Sequence, residues 1–307
     1  MIQEKIIVQA DSRYPLNGLL TLPDESFCPC PAVVFVHGSG SSNMDEKIQK
    51  LTPFKDLAEG LAKLGVASIR YDKRSFAHGL KMVTNKEVIT VKEETIDDAV
   101  AAVELLKKDT RISSVYILGH SMGGMLAPRI ETQVDGVSGL IIMAGSPRTL
   151  HEIMIGQVEE IVSKQNSLVK WIMNISTKKM FDTFNKLDSM TIEEAKKTKL
   201  GNGTTAYYFK EIMEHSTSEL LREFDKPVLF LQGEDDFQAN IEKDYKLYQQ
   251  ICDGKENVSF KLYEGLNHAF VPYISEDITK AKNEYNVERH IPEYVMMDIV
   301  EWMKNTQ

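Results

Sequence analysis

The sequence predicts an α/β protein built on one mostly parallel, doubly wound sheet of eight strands. Short apolar segments rich in β-branched residues recur eight times along the 307 residues, and from the third segment onward helical stretches separate them. Alternating strands and helices are typical of a parallel sheet with helices on both faces. The first two strands follow one another without a helix, so we expect them to form an antiparallel edge. The predicted strands are residues 6–8, 19–22, 32–36, 67–71, 115–118, 140–143, 228–231 and 258–263.

Helical periodicity supports this alternation. Within residues 93–108, Ile96, Val100 and Val103 recur at a spacing that puts them on one face of a helix. Residues 52–64 and 292–304 are also predicted to be helical. Such helices would cover the faces of the sheet.

The alternation breaks over residues 146–222, which we interpret as a helical cap inserted between strands 6 and 7. This stretch holds no convincing strand, and its amphipathic segments are residues 153–162, 168–180, 192–197 and 207–213. Residues 1–145 and 223–307 would form the core, with the cap over the carboxyl edge of the sheet. The methionines and aromatic residues of the cap, Trp171 and Tyr207 among them, either line an apolar pocket or form the cap's own core.

Composition and charge limit the classes of partner. The net charge of −9 and the pI near 5.4 disfavour nucleic-acid binding, because Lys and Arg are scattered among Asp and Glu rather than gathered in one stripe. No apolar run approaches the length of a membrane span, and residues 1–10 resemble a strand rather than a secretory signal. We therefore expect a cytoplasmic protein that binds neither nucleic acid nor membrane.

Three cysteines fit a reducing compartment, because an odd number without paired spacings gives no disulfide framework. Cys28 and Cys30 flank a proline and would supply half of a metal site, but no second Cys or His pair follows at ligand spacing. We favour a Pro-rich loop that leads into a strand. The sequence thus predicts no metal and no cofactor.

Residues 119–123, Gly-His-Ser-Met-Gly, follow directly on the fifth predicted strand. The pattern Gly-x-Ser-x-Gly is typical of a strand-to-helix turn so tight that its flanking positions carry almost no side chain. Such a turn holds its serine exposed in a strained conformation and brings the next amide to a helix N-terminus. Ser121 is therefore the candidate nucleophile, and the amide of Met122 is a candidate oxyanion donor.

A serine nucleophile needs a base and an anionic group that orients the base. His268 lies in a loop after the last predicted strand, and the seventh predicted strand runs into Glu234, Asp235 and Asp236. We select Asp236, because in serine hydrolases that resemble this pattern the acid generally stands three residues beyond the glycine that closes this strand, and we keep Asp235 as the reserve. The chain order Ser, Asp, His is the one expected of an α/β hydrolase.

A glycine-rich turn follows the third predicted strand at residues 37–40, His-Gly-Ser-Gly. A backbone amide of this turn can point towards Ser121, and we take the amide of Ser39 as the second oxyanion donor. A glycine-rich turn also suits a phosphate group, but neither a Walker pattern nor a dinucleotide fingerprint is present. Nucleotide binding is therefore disfavoured.

Four segments carry a family resemblance. They are residues 37–40, Arg-Tyr-Asp-Lys-Arg at 70–74, Gln-Gly-Glu-Asp-Asp-Phe-Gln at 232–238 and Gly-Leu-Asn-His-Ala-Phe at 265–270. With the Ser121 motif, they resemble the serine hydrolases of the α/β-hydrolase fold, in particular bacterial carboxylesterases of the EstD type and cinnamoyl (feruloyl) esterases. The resemblance covers nearly the whole chain. It implies that Ser121 is the nucleophile, His268 the general acid and base, Asp236 its orienting acid, and residues 146–222 the cap.

Two segments depart from this family pattern. Residues 75–79, Ser-Phe-Ala-His-Gly, stand where related chains have a Gly-x-Gly turn, and residues 41–46 lack an Asp-Arg-Asp run. We expect both near the pocket entrance, so the substrate preference of the family does not carry over. The candidate substrate-binding residues are His37, Gly38, His78, His120, Trp171 and Tyr207.

The leading hypothesis is a serine-dependent carboxylic ester hydrolase that forms an acyl-enzyme with short to medium acyl or hydroxycinnamoyl esters. A thioesterase, a peptidase or an acyltransferase would use the same three residues. A non-catalytic protein that binds small molecules is the alternative of another class, although a binder has no need of a strained serine. The partner that we expect is a small-molecule ester, with a homodimer left open.

Overall fold

An eight-stranded sheet runs through the centre of the protein, as the sequence predicts. The computed structural model describes residues 1–84, 88–201, 204–274 and 281–306. The strands are β1 (Ile2–Val8), β2 (Leu16–Leu22), β3 (Cys30–Val36), β4 (Ala67–Tyr71), β5 (Ile112–His120), β6 (Val137–Met143), β7 (Lys199–Gly201), β8 (Thr204–Thr205), β9 (Val228–Gly233) and β10 (Val258–Tyr263). β7 and β8 form a separate ribbon, and the other strands match the eight predicted ones.

The strand order of the sheet is β1-β2-β4-β3-β5-β6-β9-β10. β2 pairs antiparallel with β1 and β4, and the remaining neighbours pair in parallel, which confirms the predicted antiparallel edge. After β4 the chain returns across β3 to β5, so its direction of winding reverses between β3 and β5. In parallel sheets, ligands bind outside the carboxyl ends of the strands at such a reversal.

Helices cover both faces of the sheet. They are α1 (Pro53–Lys63), α2 (Arg74–Thr84), α3 (Asp97–Lys107), α4 (Met122–Glu131), α5 (Leu150–Ser163), α6 (Ser167–Phe184), α7 (Ile192–Lys197), α8 (Ala206–Met213), α9 (Thr217–Glu223), α10 (Lys246–Ile251), α11 (Ala281–Glu284) and α12 (Glu293–Asn305). α1 and α12 pack on one face, and α3, α4 and α10 pack on the other. Among the described residues, no helix combines the length and the apolar character needed to cross a membrane.

The side chains of β3 divide the core into two layers. Val33 and Phe35 pack with the helices α1 and α12, whereas Ala32, Val34 and Val36 pack with α3 and α4. All five are buried. Successive side chains of a strand point to opposite faces, so a central strand covered on both faces is apolar at every position.

The insertion between β6 and β9 consists of the helices α5 to α9 and the ribbon of β7 and β8. The four predicted helical segments correspond to α5, α6, α7 and α8. The expectation of an insertion without strands is wrong at the ribbon, whose strands have three and two residues and are too short to show strand periodicity. The insertion has a small core of its own, formed by Phe184, Leu187, Ala195, Ala206 and Phe209.

Polar contacts attach the second half of the insertion to the core. Arg129 of α4 forms a buried ion pair with Glu211 of α8, with 3.1 Å between Nη1 and Oε2. The hydroxyl of Thr217, at the start of α9, donates to the carbonyl of Met125 at 3.0 Å. These contacts hold α8 and α9 against α4.

The backbone of α4 packs directly on β3 and β5 through two glycines. A Cβ on Gly119 would lie 2.1 Å from the carbonyl oxygen of Gly123, and a Cβ on Gly123 would lie 2.1 Å from that of Val36. Non-bonded heavy atoms of this kind need about 3.5 Å. Neither position accepts a side chain unless the backbone moves, which is the close approach that the motif predicts.

We predict that Gly123→Ala destabilises the fold by about 2–3 kcal/mol, because the added methyl group overpacks a backbone-to-backbone contact. Gly79→Ala is the matched control, since Gly79 lies in α2 and a Cβ there would meet no atom within 4 Å. This control should be neutral or stabilising by up to about 1 kcal/mol, as expected for Ala in a helix. Thermal or urea unfolding measures both. Equal stability of Gly123→Ala and the unaltered protein would contradict the packing described.

Candidate active site

Ser121 joins β5 to α4 in a conformation that residues other than glycine rarely adopt. Its φ is 54° and its ψ is −117°, and such a backbone costs of order 1–3 kcal/mol. The amide of Ser121 donates to the carbonyl of Met143 at 2.9 Å, and its carbonyl accepts from the amides of Gly124 and Met125 at 3.0 and 3.2 Å. The surrounding backbone therefore maintains a strained serine at the carboxyl edge of the sheet.

His268 lies in the loop after β10, with its ring against Asp236. The distance between His268 Nδ1 and Asp236 Oδ2 is 2.8 Å, and both side chains are buried. Gln232 Nε2 donates to the same oxygen at 2.9 Å, and Asp236 Oδ1 accepts from the amides of Gln238 and Ala239 at 2.7 and 2.9 Å. This carboxylate favours the His268 tautomer that carries its proton on Nδ1, which leaves Nε2 able to accept one.

The structure brings Asp236, and not the reserve candidate Asp235, to His268. Asp235 is exposed, and its amide donates to the carbonyl of Leu266 at 3.0 Å. The amide of Asp236 closes a turn onto the carbonyl of Gly233 at 3.3 Å. The fourth residue of such a turn returns towards the end of the strand, which accounts for the direction of the Asp236 side chain.

His120, within the serine motif, supports the loop that carries His268. Its Nε2 lies 2.8 Å from the carbonyl oxygen of His268, and its Nδ1 lies 2.9 Å from Glu46 Oε2. Burial acts to lower the pKa of His120, but the Glu46 carboxylate outweighs this effect and raises that pKa above its usual value. Burial acts to raise the pKa of Glu46, but the charge of His120 outweighs this effect, so that pKa lies below its usual value. Each of these two buried side chains therefore favours the charged form of the other.

Glu46 also holds the turn that follows β3. Its Oε1 accepts from the amide of Gly38 at 2.8 Å. Gly38 packs against the serine, since a Cβ there would lie 3.2 Å from the Cβ of Ser121. Glu46 and His120 thus connect this turn to the loop of His268. Glu46 could not be identified from the sequence, because it stands in a segment without a motif and its contacts are distant in sequence.

His37 is buried behind the site. Its Nε2 lies 2.6 Å from the carbonyl oxygen of Tyr71, and its ring packs against Phe54 and Tyr71 with centroid separations of 5.0 and 5.7 Å. Burial lowers the pKa of His37 to about 4, so the ring is neutral at physiological pH. Like Gly38 and His120, this predicted binding residue supports the site from behind rather than from the cavity wall.

A cavity of about 420 Å³ opens at Ser121. Met122, His268 and Ser39 share its wall with the serine. The insertion contributes Leu150, Ile153, Met154, Gln157, Thr204, Tyr208 and Phe209. A groove of about 670 Å³ elsewhere is larger, but charged side chains of α1 and of the segment before α12 line it, and Ser121 does not. The smaller cavity has the volume of a site for small molecules.

Both backbone amides predicted to bind an oxyanion belong to residues on the wall of this cavity, Ser39 and Met122. Met122 is the first residue of α4. Its amide therefore has no intrahelical partner and lies at the positive end of the helix dipole. Ser39 approaches Ser121 from the turn after β3, and Met122 follows it at the start of α4.

Tyr207, predicted to bind substrate, lies outside the cavity wall, and the neighbouring Tyr208 takes that place. One residue along a helix is a rotation of about 100°, and Lys196 Nζ lies over the Tyr207 ring at 5.2 Å. The hydroxyl of Tyr208 donates to Glu94 Oε2 at 2.7 Å. Burial and the Glu94 carboxylate raise the pKa of Tyr208 well above its usual value, so this hydroxyl stays protonated.

The remaining pocket predictions have different outcomes. His78 lies in α2, with Nε2 2.7 Å from the carbonyl oxygen of Pro15 and its ring against Tyr14, so it is not a cavity residue. Trp171 lies in α6, and its side chain is outside the described part of the structure. Met154 lines the cavity. Other methionines of the insertion pack against its own core, namely Met180, Met190 and Met213.

Comparison with known sequences identifies a family and a relative. The family model described as serine aminopeptidase, S33, matches residues 28–272. Esterase EstD of Thermotoga maritima is 33% identical over 288 residues, which are 94% of this chain. The chain spans 65% of the length of that curated relative.

Two solved structures share this fold over nearly the whole chain. Est1E from Butyrivibrio proteoclasticus superposes with a TM-score of 0.58 at 16% identity, over 98% of each chain. The Pyrococcus furiosus esterase Pf2001 superposes with a TM-score of 0.59 at 15% identity, over 99% of this chain and 92% of its own. Their likeness confirms the α/β-hydrolase fold, and the family match covers most of the sequence. The chain therefore belongs to the serine aminopeptidase S33 family of α/β hydrolases.

Proposed function

We propose that this protein is a carboxylic ester hydrolase in which Ser121 is the nucleophile. The observation that carries the proposal is a serine at φ 54° on the wall of a cavity that His268 also lines, with His268 Nδ1 fixed by the buried Asp236. A strained serine stabilised by so much surrounding structure is typical of a functional site. The similarity to an esterase at 33% identity supports the same reaction class.

In the proposed mechanism, Ser121 Oγ attacks the acyl carbon of the ester while His268 Nε2 accepts its proton. Asp236 stabilises the imidazolium that forms. The amides of Ser39 and Met122 donate to the oxyanion of the tetrahedral intermediate. His268 then protonates the leaving alcohol, which yields an acyl-enzyme. A water molecule, deprotonated by the same histidine, attacks this acyl group and restores Ser121.

We propose short to medium acyl esters, or esters with a single aromatic acyl group such as hydroxycinnamoyl, as substrates. A cavity of about 420 Å³ has room for such a group. Its apolar wall residues include Met125, Leu150, Ile153, Met154 and Phe209. Polar groups of Gln157 and Tyr208 on the same wall would orient a hydroxylated ring. Residues 146–222, which supply one side of this wall, would act as the cap that selects the acyl group.

A peptidase is the second candidate, because the family description names an aminopeptidase. The carboxylate of Glu94 on the cavity wall is the group that would bind a free amino terminus. Tyr208 already donates to this carboxylate, and Lys73 Nζ lies 3.8 Å from it. Because Tyr208 and Lys73 already occupy the Glu94 carboxylate, it is less available to bind an amino terminus, which favours the esterase over the peptidase.

We predict measurable hydrolysis of aryl and feruloyl esters, with rates that fall from butyryl to palmitoyl chains as the acyl group outgrows the cavity. The panel comprises p-nitrophenyl acetate, butyrate, octanoate and palmitate, methyl ferulate, butyryl-CoA and prolyl p-nitroanilide. Ser121→Ala should lower kcat/KM by more than about 10³-fold and abolish labelling by a fluorophosphonate probe.

The outcomes of this panel are distinct. Preference for the anilide or for the thioester would assign a peptidase or a thioesterase. If the fluorophosphonate probe does not label the unaltered protein and the protein hydrolyses none of these substrates, the proposed serine hydrolase activity is refuted. If Ser121→Ala retains activity, the assignment of Ser121 as the nucleophile is refuted.

We also predict that Asp236→Asn lowers kcat by about 10²–10⁴-fold, because the uncharged amide neither stabilises the imidazolium nor favours the correct tautomer of His268. Asp235→Asn is the matched control, one residue away and exposed, and its kcat should stay within about threefold of the original. Steady-state kinetics on p-nitrophenyl butyrate measure both. The opposite ranking of the two variants would assign the orienting role to Asp235.

A further inference from the structure

Lys73 is a buried cation at the edge of the candidate site. Its relative exposure is 1%, and it follows β4 by two residues. Its Nζ donates to the carbonyl of Gly38 at 2.8 Å, and its own amide donates to the carbonyl of Ser42 at 3.0 Å. Both contacts are with the turn and loop that follow β3.

The carbonyl that Lys73 binds belongs to the same peptide unit as the amide of Ser39. In a trans peptide, the C=O and N–H groups point in opposite directions across one rigid plane. An ammonium group that holds the Gly38 carbonyl on one side therefore directs the Ser39 N–H to the other side. Ser39 lies on the cavity wall with Ser121, and the Ser39 amide is the second proposed oxyanion donor.

The peptide unit on the other side of Gly38 is held by the opposite charge. The Gly38 amide donates to Glu46 Oε1 at 2.8 Å, and Glu46 in turn pairs with His120. Gly38 is thus held on both sides: the buried carboxylate of Glu46 accepts from its N–H, and the buried ammonium of Lys73 donates to its C=O. Hydrogen bonds to charged groups are stronger than neutral ones, and they polarise the peptides that they contact.

Lys73 pays a desolvation cost for this position. Burial lowers the pKa of Lys73, and the carboxylates of Glu94 and Glu46 act against that effect. Glu94 Oε2 lies 3.8 Å from Lys73 Nζ. A buried ion pair adds little stability compared with apolar residues of the same volume, so a role beyond stability is the better account of Lys73.

We infer that Lys73 is a positioning residue for the oxyanion site, whose ammonium group orients and polarises the Gly38–Ser39 peptide so that the Ser39 amide binds the oxyanion more strongly. The inference rests on the proposed ester hydrolysis. Lys73 itself contacts neither the substrate nor the reacting atoms. Its effect should appear in the transition state and in tetrahedral adducts, and not in the binding of the ground-state ester.

The test is Lys73→Met, which keeps the volume of the side chain and removes its charge. We expect kcat for p-nitrophenyl butyrate to fall by about 10–100-fold, with KM changed by less than about threefold, because a weakened oxyanion donor costs less than a deleted one. The affinity for a butyl trifluoromethyl ketone, which forms a tetrahedral adduct with the serine, should fall by a similar factor. An unchanged kcat and ketone affinity would overturn the inference.

A second comparison separates positioning from stability. Lys73→Met leaves Glu94 without its cation, so the variant Lys73→Met/Glu94→Gln removes both charges and should recover thermal stability. Relative to Glu94→Gln alone, the double variant should still show the loss in kcat. Recovery of kcat together with stability would assign Lys73 a purely structural role and overturn the inference.

Arg74→Met is the matched control for the loss of a buried cation. Arg74 is buried and binds Asp98, with 3.1 Å between Nε and Oδ2. This variant should lose stability but keep kcat within about threefold. An equal loss of kcat in Arg74→Met would show a general effect of buried charge and overturn the inference. If the unaltered protein is folded but hydrolyses no ester, the proposed function itself is refuted. If the unaltered protein is active and Lys73→Met leaves its kcat unchanged, only the role of Lys73 is refuted.

Discussion

The close packing of α4 on β3 and β5 is the constraint from which the geometry of the site follows. Because Gly119 and Gly123 carry no side chains, the helix backbone approaches to a distance at which a Cβ would lie 2.1 Å from a carbonyl oxygen. This approach forces the intervening Ser121 into a conformation with positive φ. It also brings the first amide of α4 and the turn after β3 to the same edge of the sheet. Tight packing thus fixes the serine and both proposed oxyanion donors together.

Buried charges organise the loops around that edge. Glu46 binds the Gly38 amide and pairs with His120, whose other nitrogen faces the carbonyl of His268. On the opposite side, Lys73 binds the Gly38 carbonyl. An isolated buried charge is costly, so each of these groups restricts the others to the few arrangements that satisfy all of them. The turn after β3 and the loop of His268 therefore hold a common geometry although they are far apart in sequence.

The parts of the structure that sequence reasoning predicts are those encoded locally. The eight strands follow from apolar periodicity, and the turn around Ser121 follows from glycines at fixed spacing; both patterns lie within short segments of the sequence. Contacts between distant segments leave no such pattern. Glu46 looks like an ordinary surface charge until the fold buries it. Lys73 stands in the segment 70–74, but its role becomes visible only when the fold brings it to the carbonyl of Gly38. The sequence does not decide between Tyr207 and Tyr208, because helix phase, which tertiary packing sets, determines which of two adjacent tyrosines faces the cavity.

The most direct test of the central claim is to trap the acyl group on the protein. The unaltered chain is mixed with p-nitrophenyl butyrate, quenched in acid within milliseconds, and analysed by intact mass and by peptide mapping. The account predicts one added butyryl group, located on Ser121 and absent from Ser121→Ala. Turnover of the ester with the butyryl group on another residue, or with none on Ser121 under conditions where acylation outpaces hydrolysis, would contradict it.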